Sequence, residues 1–475
     1  MVSLTANQES FIRRMTESEE LARWGFVLLL RKPNYDEFFD ALRAAGLFDP
    51  HHNPAPEPAE DEGYVRIPYW SALDYLTAVA RRSGQQNDLE LATKVMTIIR
   101  SVANWKDGQE RPRENYHTAY KFAGILGLVP TAAVTTADLD FIPMWLDDRF
   151  ERMLVARALD EGALPRFLTS SSAADLEKAL QVLRHCTVIR WTAVKELGDG
   201  EQTPTLAVDD FWIKRMISNH VQAFGERTGE RAAEIFLQRV QEVFGKGNRK
   251  VHSSTYRPAI EEHYQNHQWH EAENCSVAGL RDVLLSWCKH DLTTARPFIE
   301  KLLTHEHEIL RRMGIYILGK QWSELRDLYR THVGHELFRS GHLHELYTLL
   351  VEHFPDFTSE EKDDTIEALR QLPPPTWGND PNLALKRIQC RWLFSIVGKG
   401  YSPADEWFAQ LQSDPTVGRV PEHPDFDSFF ETHIGMAKAA YSVAELVGFA
   451  AAGNLVAKLN AFEEQDIGEV QHLMD

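Results

Sequence analysis

The stretch 294–320 constrains the fold of this chain more than any other, because it reads as two amphipathic helices joined by a very short turn. Pro297 falls in the first turn of the first helix, and Ile299, Leu302 and Leu303 share one face. The second helix carries a matching apolar face, formed by Ile309, Met313, Tyr316 and Ile317. A hairpin with one apolar face is not stable alone, so we expect stacked neighbours and an elongated α-solenoid.

Helical patterns continue along the rest of the chain, with pairs recurring roughly every 35–45 residues, the range of helical repeats. Capping boxes mark three helix starts: Thr135 with Asp138, Ser172 with Asp175, and Thr358 with Glu361. Alternation long enough to demand a sheet is missing, and the fragment HCTVIRW at 185–191 is short and ambiguous. We therefore predict an all-α protein, an α-solenoid of HEAT-like hairpins.

A run rich in Gly, Pro and charge at 197–204 predicts a boundary between two domains. The predicted N-terminal helical domain covers 1–196. Its first helices offer a candidate core of Phe11, Leu21, Trp24, Phe26, Leu28, Phe38 and Leu42. The predicted HEAT-like repeat domain covers 205–475 and ends in an acidic C-terminal third.

The chain is acidic, with 70 Asp and Glu against 51 Lys and Arg and a net charge of −19. This charge repels phosphate backbones at long range and disfavours broad nucleic-acid binding. From Tyr401 onward, 13 acids stand against 3 basic residues. We predict that this region meets a basic surface of a protein partner through Asp425, Asp427 and Glu431; the alternative is a solvated acidic helix array.

The cysteines and the apolar segments bear on where the protein is located. Four scattered cysteines form neither a CxxC pair nor a disulfide frame, which indicates a reducing compartment. No segment reaches about 18 consecutive apolar residues. The nearest, 435–459, is broken by charges and is interpreted as a buried Ala-rich helix. We predict a cytoplasmic protein that makes no membrane contact.

One histidine cluster suggests a metal site as an alternative. If Pro258 opens a helix, His263, His267 and His270 lie at i, i+4 and i+7 on one face, with Cys275 following. Imidazoles and a thiolate are the ligands that zinc prefers, so a metal-dependent hydrolase is conceivable here. The competing interpretation is a polar helix end that binds nothing.

A second group of histidines suggests another enzymatic alternative. Arg339 and His344 match the loose Arg-to-His spacing of HEPN-type ribonucleases, where a histidine acts as acid or base. Gly341 lies between them and indicates a helix junction instead of one continuous catalytic helix. The competing interpretation places these histidines in solvated turns.

Basic residues suggest two further roles. Lys246, Arg249 and Lys250 form a loop that would contact phosphate in a nucleic-acid-binding solenoid; otherwise it meets an acidic protein face or solvent. For the pair Arg311 and Arg312 we expect a structural role, since second helices of HEAT-like hairpins often bond the adjacent repeat.

Motifs for common catalytic chemistry are missing from the sequence. It contains no GxxxxGK[ST] loop, no strand-borne GxGxxG, no GxSxG elbow, no HExxH and no kinase-type HRD loop. Nucleotide and hydrolase chemistry are therefore disfavoured, and we expect no cofactor.

Several segments carry a resemblance to a known group of proteins. RPAIEEHYQN, LLTHEHEILRRMGIYIL and FRSGHLHELYTLLVEHFPDF, with the earlier YVRIPYWSALDYL and FIPMWLDDRF, resemble helical-repeat regions of large bacterial antiviral-defence proteins. The resemblance implies a sensing or scaffolding region that accompanies an NTPase, nuclease or NAD-consuming effector. This chain carries no effector motif, so we expect either a separate effector subunit or a longer parent protein.

Taken with the resemblance, the sequence predicts a non-catalytic recognition or scaffolding subunit of a multi-protein complex in bacterial anti-phage defence. An enzyme using a histidine cluster and a nucleic-acid-binding solenoid remain the alternatives.

Overall fold

The computed structural model describes residues 4–59, 64–108, 110, 112, 115–147, 152–193, 202–266, 270–376, 380–429, 443–453 and 455. Helices dominate these residues, which confirms the predicted all-α class. Residues Met1–Asp427 form one compact unit and Ser428–Asp475 form a second. In the described part of the chain, none of the helices combines the length and the apolar character required to cross a bilayer.

The chain begins with a series of short and medium helices. They are α1 (Ala6–Met15), α2 (Glu19–Leu30), α3 (Phe39–Ala44), α4 (Ala72–Gln86), α5 (Leu89–Ala103), α6 (Tyr116–Leu126), α7 (Thr136–Leu139), α8 (Ile142–Leu146), α9 (Arg152–Ala158), α10 (Leu164–Thr169) and α11 (Ala173–Cys186). A π-helical turn, Leu159–Ala163, joins α9 to α10.

Two small antiparallel hairpins interrupt the helices. Strand β1 (Glu57–Pro58) pairs with β2 (Val65–Arg66), and β3 (Ile189–Ala193) pairs with β4 (Gln202–Leu206). Part of the fragment that was ambiguous in the sequence is therefore strand β3. Its pairing partner lies beyond residues 194–201, so local periodicity could not reveal it.

The predicted boundary at 197–204 falls mostly on residues outside the described ones, and the division into 1–196 and 205–475 stays a prediction. Side chains on either side of this segment nevertheless contact each other. The carboxylate of Asp160, in the π-helical turn, accepts hydrogen bonds from Asn219 at 3.1 and 3.2 Å. The guanidinium of Arg239 donates to the carbonyl of Arg184 at 2.9 Å.

The helices continue after β4. They are α12 (Asp210–Thr228), α13 (Glu230–Phe244), α14 (Asn248–Val251), α15 (Ser253–Tyr256), α16 (Glu271–Leu303), α17 (Glu308–Lys320), α18 (Trp322–His332), α19 (Leu343–His353), α20 (Ser359–Arg370), α21 (Pro381–Phe394), α22 (Ser402–Gln412) and α23 (Val443–Ala451).

The hairpin predicted at 294–320 is present. Asp291 has non-helical dihedrals and divides α16, and its carboxylate accepts a hydrogen bond from the Thr294 backbone N–H at 3.2 Å. Asp291 thus caps the second half of α16, and Pro297 lies in the second turn after it instead of the first. The predicted apolar positions of both helices are buried except Tyr316, which is half-buried.

Two of the three predicted capping boxes are confirmed, at Thr135 with Asp138 and at Thr358 with Glu361. The third is wrong, although α11 does begin directly after Ser172. Its Asp175 instead accepts hydrogen bonds from Thr131, Ser170 and Lys178, because those donors come within 2.7–2.8 Å. One distant contact, from Thr131, and two local contacts thus take the place of the predicted cap.

The described part of the second unit contains α23, which falls inside the stretch predicted to be a buried helix. Val447 is 63% exposed, and Gly448, Ala450 and Ala451 are also exposed. The prediction of burial is therefore wrong at these positions. A helix of 9 residues cannot cover its own apolar surface.

Candidate functional site

A buried ion pair organises the centre of the second half of the chain. Arg312 of α17 binds Glu345 of α19 through Nε–Oε2 at 2.8 Å and Nη2–Oε1 at 2.9 Å. Both side chains are 1% exposed. The role predicted for Arg312, bonding a neighbouring helix, is confirmed.

The same ion pair holds the loop at 257–266. Arg312 donates to the carbonyls of Arg257 at 2.8 Å and Pro258 at 2.7 Å, and Glu345 accepts from the backbone N–H of Ile260 at 3.0 Å. Arg281 donates to the carbonyl of Ile260 at 3.2 Å. Because side chains take these backbone groups, the helix expected to start at Pro258 does not form.

The predicted zinc ligands are therefore not on one helical face. His263 lies in the irregular loop, His270 is the N-cap of α16, and His267 lies outside the described residues. Cys275 is buried in α16, and burial raises the pKa of its thiol to about 12. The described residues contain no group of three or more His, Cys, Asp or Glu side chains placed to hold a metal ion.

His344 lies between two carboxylates. Its Nδ1 is 3.0 Å from Asp425 Oδ2, and its Nε2 faces Glu261 Oε1 at 3.5 Å, at the outer limit of a hydrogen bond. Its ring stacks on Phe426, with centroids 4.2 Å apart, and only 8% of the side chain is exposed. This histidine is enclosed within the fold.

The surroundings of His344 favour its charged form. Burial alone would lower the pKa, but the hydrogen bond to Asp425 and the nearby carboxylate of Glu261 outweigh it and raise the pKa to about 9. A group with such a pKa holds its proton at neutral pH and is a weak general base. Arg339 is exposed and pairs with Glu336, so the structure brings the two predicted ribonuclease residues to different partners.

The predicted phosphate-binding loop is engaged within the chain. Arg249 Nε donates to Glu273 Oε1 at 2.7 Å, and Glu273 is 2% exposed. Arg249 also lies over the ring of Tyr256 at 4.6 Å, and Lys246 lies over Trp191 at 4.4 Å. Lys250 is exposed. Of the three residues predicted to contact phosphate, Arg249 therefore already forms an ion pair with a buried carboxylate.

The predicted acidic interface is likewise occupied at two positions. Asp425 pairs with His344, and Asp427 pairs with Arg391 at 3.2 Å. Glu431 lies outside the described residues. Reversing these charges would break internal ion pairs, so such variants would not isolate an effect on a partner. The acidic interface stays a prediction.

Helix α2 exposes an apolar face that includes three residues predicted to lie in the core, Leu21, Trp24 and Leu28. Phe26, Phe38 and Leu42 are buried as expected. Four other residues of α2 are exposed: Leu21 by 42%, Trp24 by 53%, Val27 by 39% and Leu28 by 46%. We call these four residues the α2 stripe.

The α2 stripe is continuous along the helix. Leu21, Trp24 and Leu28 recur at i, i+3 and i+7, which places them on one side. The opposite side of α2 packs into the core through Ala22, Gly25, Phe26 and Leu29. From Trp24 to Leu30 the helix carries apolar residues on every side, and such a segment is normally buried all round, so this was the available sequence signal for a missing neighbour.

A cleft begins next to the first turn of α2. It encloses about 820 Å³, and Glu19, Arg23, Arg66, Tyr69 and Trp70 are among the residues that line it. Tyr69 is 41% exposed and donates a hydrogen bond to Asp74 at 2.7 Å. Ala22 and Phe26 also line the cleft, so it lies on the other side of α2 from the stripe.

The predicted sites and the α2 stripe differ in how far they are occupied by contacts within the chain. The predicted histidine and arginine sites are engaged in internal ion pairs, whereas the α2 stripe exposes contiguous apolar side chains. No protein-family model matches the chain, and no curated protein matches it either.

Proposed function

We propose that this chain is a non-catalytic recognition or scaffolding subunit of a multi-protein complex in bacterial antiviral defence. The observation that carries the proposal is the α2 stripe. Contiguous exposed apolar surface on a folded protein marks an interaction site, whereas singly scattered apolar residues do not. Tryptophan is also enriched among the residues that dominate binding energy at protein interfaces.

The proposed architecture is a HEAT-like solenoid with an N-terminal helical domain, located in the cytoplasm. Its support is the hairpin of α16 and α17 and the ion pair that joins α17 to α19. A stack of this kind joins each hairpin to the next and leaves extended surfaces for partners.

The enzymatic alternatives receive less support from the geometry. A ribonuclease would need His344 open to substrate, but carboxylates flank both ring nitrogens and would repel a phosphate. A zinc hydrolase would need ligands on one face, which the loop at 257–266 does not provide.

Affinity purification of the tagged full-length chain from its native host tests the proposal. The variant L21S/W24S/L28S removes three of the four residues of the α2 stripe. The control L89S/M153S/V351S removes three apolar residues that are similarly exposed but belong to three different helices. Co-eluting proteins are quantified by mass spectrometry.

We expect a stoichiometric partner with the wild type and the control, and a loss of roughly tenfold or more with the stripe variant. A photo-crosslinking residue at Trp24 should form an adduct with that partner, whereas the same residue at Val351 should not. Equal recovery with all three proteins would refute the α2 stripe as the interface. Enzymatic turnover by the purified chain that is lost in His344→Ala would refute the non-catalytic role.

A further inference from the structure

A groove runs between α1 and α3, on helices that the proposed function does not use. It encloses about 830 Å³. One wall comes from α1 and the residues that flank it: Leu4, Glu9, Ile12, Arg13 and Thr16. The other wall comes from 36–45, and Leu91 and Lys94 of α5 complete the lining.

The groove is long enough for an extended occupant. Glu9, Ile12, Arg13 and Thr16 recur at i, i+3, i+4 and i+7, so they form one face of α1. Because each residue of a helix rises about 1.5 Å, the groove follows this face from Glu9 to the C-cap Thr16 for about 10 Å, or two turns. The second helix, α3, has 6 residues and is about 9 Å long. A short groove between two helices is a site into which two turns of an amphipathic helix can dock.

The floor of the groove is apolar and small. Ile12 and Phe39 are buried beneath it, and Leu91 is half-buried. Ala41, Ala44 and Ala45 line the second wall, and Ala44 is exposed. Because alanine side chains are short, the wall leaves room for larger apolar side chains from an occupant.

The charged residues that line the groove indicate which charge an occupant should carry. Four carboxylates line it, on Glu9, Asp36, Glu37 and Asp40, against the two cations Arg13 and Lys94. Asp36 pairs with Arg82 at 2.5 Å, and Asp40 pairs with Lys94 at 2.8 Å.

Two of these carboxylates remain open to an incoming cation. Glu9 and Glu37 are exposed, and neither forms an ion pair within the described residues. Glu37 accepts a hydrogen bond from Asn34 at 2.7 Å, which leaves its charge in place. One lies on each wall. Arg13 adds a positive charge to the α1 wall, and with Asp36 and Asp40 paired, Glu9 and Glu37 leave the groove net negative.

We propose that this groove binds a basic amphipathic helix of a protein partner. The apolar face of that helix would pack on Ile12, Phe39 and the alanines, and lysines or arginines at its margins would pair with Glu9 and Glu37. The inference rests on the proposed function in one respect, that the occupant is part of a protein partner. The groove itself is a different surface from the α2 stripe.

Fluorescence anisotropy with the full-length chain tests the proposal. The probe is a labelled helical peptide of leucine and lysine, about 18 residues long so that it exceeds the groove. A peptide with glutamate in place of lysine controls for charge. Ala44→Phe fills the groove without changing the net charge, and Ala409→Phe, on an exposed alanine of α22, is its control.

A second pair of variants tests the charges. E9K/E37K reverses the two open carboxylates, whereas E234K/E406K makes the same change at exposed glutamates on α13 and α22. Both pairs alter the net charge of the chain equally. All four substituted residues are exposed, so we expect these variants to fold.

The leucine–lysine peptide should bind the wild type and both controls. We expect affinity to fall roughly tenfold or more with Ala44→Phe and about five- to tenfold with E9K/E37K. The glutamate peptide should not bind. Failure of the lysine peptide to bind, equal binding by Ala44→Phe, or equal losses with E9K/E37K and E234K/E406K would each overturn the proposal.

A small cationic amphiphile is the competing occupant. Groove-dependent binding of dodecyltrimethylammonium without binding of the peptide would assign the site to small molecules and refute a helix. Co-purification that depends on the α2 stripe would survive either result, so failure of the groove proposal is separable from failure of the proposed function.

Discussion

Arg312 and Glu345 form a bidentate ion pair that is closed to solvent and joins α17 to α19. The remaining donors of Arg312 hold the carbonyls of Arg257 and Pro258. Burial raises the pKa of the Glu345 carboxyl, but the charge of Arg312 and its hydrogen bonds outweigh burial and leave that pKa lowered. One ion pair thus fixes two helices and an irregular loop.

Removal of either partner of this pair should destabilise the protein strongly. We expect Arg312→Met or Glu345→Met alone to lower the free energy of unfolding by about 3–5 kcal/mol, since each leaves an uncompensated buried charge. The double variant R312M/E345M should recover a large part of this loss. Urea unfolding of the three variants and the wild type measures the coupling, and strictly additive losses would contradict it.

Stability should depend on pH through His344. Its folded pKa of about 9 lies above the ordinary value of 6.5, so its contribution is complete below about pH 6.5 and is lost as the pH rises through 9. We expect the wild type to lose about 3 kcal/mol over this range, and His344→Gln to lack that loss. Urea midpoints measured from about pH 6, which lies below the ordinary pKa of histidine, to about pH 10 test this.

At acid pH the dependence of stability on pH has the opposite sign. The nearby imidazole of His344 lowers the pKa of Glu261, and its hydrogen bond lowers the pKa of Asp425 against the effect of burial. Their contributions are present above the ordinary carboxyl pKa and are lost as the pH falls through the lowered values. His335→Gln, at a more exposed histidine, should retain the wild-type dependence on both limbs. A pH profile of His344→Gln that matches the wild type would contradict this account.

Arg249 and Lys250 should differ in their effect on stability. Arg249→Ala removes the 2.7 Å partner of buried Glu273, leaves His270 3.8 Å away, and should cost about 2–4 kcal/mol. Lys250→Ala removes an exposed charge and should change stability by less than about 0.5 kcal/mol. Thermal or urea unfolding checks both values. If instead both variants keep full stability and lose RNA affinity equally, the loop is a nucleic-acid site.

Asp160 should be a main contact between the segments before and after 194–201. Its carboxylate is 1% exposed, and it lies 2.8 Å from His220 Nε2 and 3.3 Å from Arg215 Nε. We expect Asp160→Ala to lower the free energy of unfolding by about 2–4 kcal/mol.

Glu177→Ala is the control for Asp160→Ala, because Glu177 forms an exposed ion pair with Arg231 between the same two segments. It should cost less than about 1 kcal/mol. Urea unfolding compares the two variants. A negligible effect of Asp160→Ala would indicate that the predicted domains 1–196 and 205–475 are stable independently of this contact.

The α2 stripe should contribute to binding and not to folding. L21S/W24S/L28S replaces exposed side chains, so we expect its free energy of unfolding to remain within about 1 kcal/mol of the wild type. Phe26→Ser on the buried side of the same helix should cost several times more, about 3 kcal/mol or above. Urea unfolding of both variants distinguishes the two faces. A large loss with the triple variant would show that the stripe supports the fold.

Local patterns were sufficient for much of the helical structure. The hairpin at 294–320 follows from apolar residues at helical spacing, and the boxes at Thr135 and Thr358 follow from contacts three residues apart. Such features depend on neighbours within one or two turns, which the sequence specifies directly. The exposed apolar residues of α2 had the same periodic appearance, and the pattern could not separate them from core residues.

The sequence by itself therefore determined the all-α class, the central hairpin and the capping boxes at Thr135 and Thr358, because these depend on short-range periodicity and capping. Only the tertiary structure decided that 257–266 is a loop, since Arg312, Arg281 and Glu345 supply hydrogen bonds that a helix would otherwise form internally. It also decided the partners of His344 and the exposure of Trp24. Burial and ion pairing depend on which distant segments meet, and no local spacing encodes that meeting.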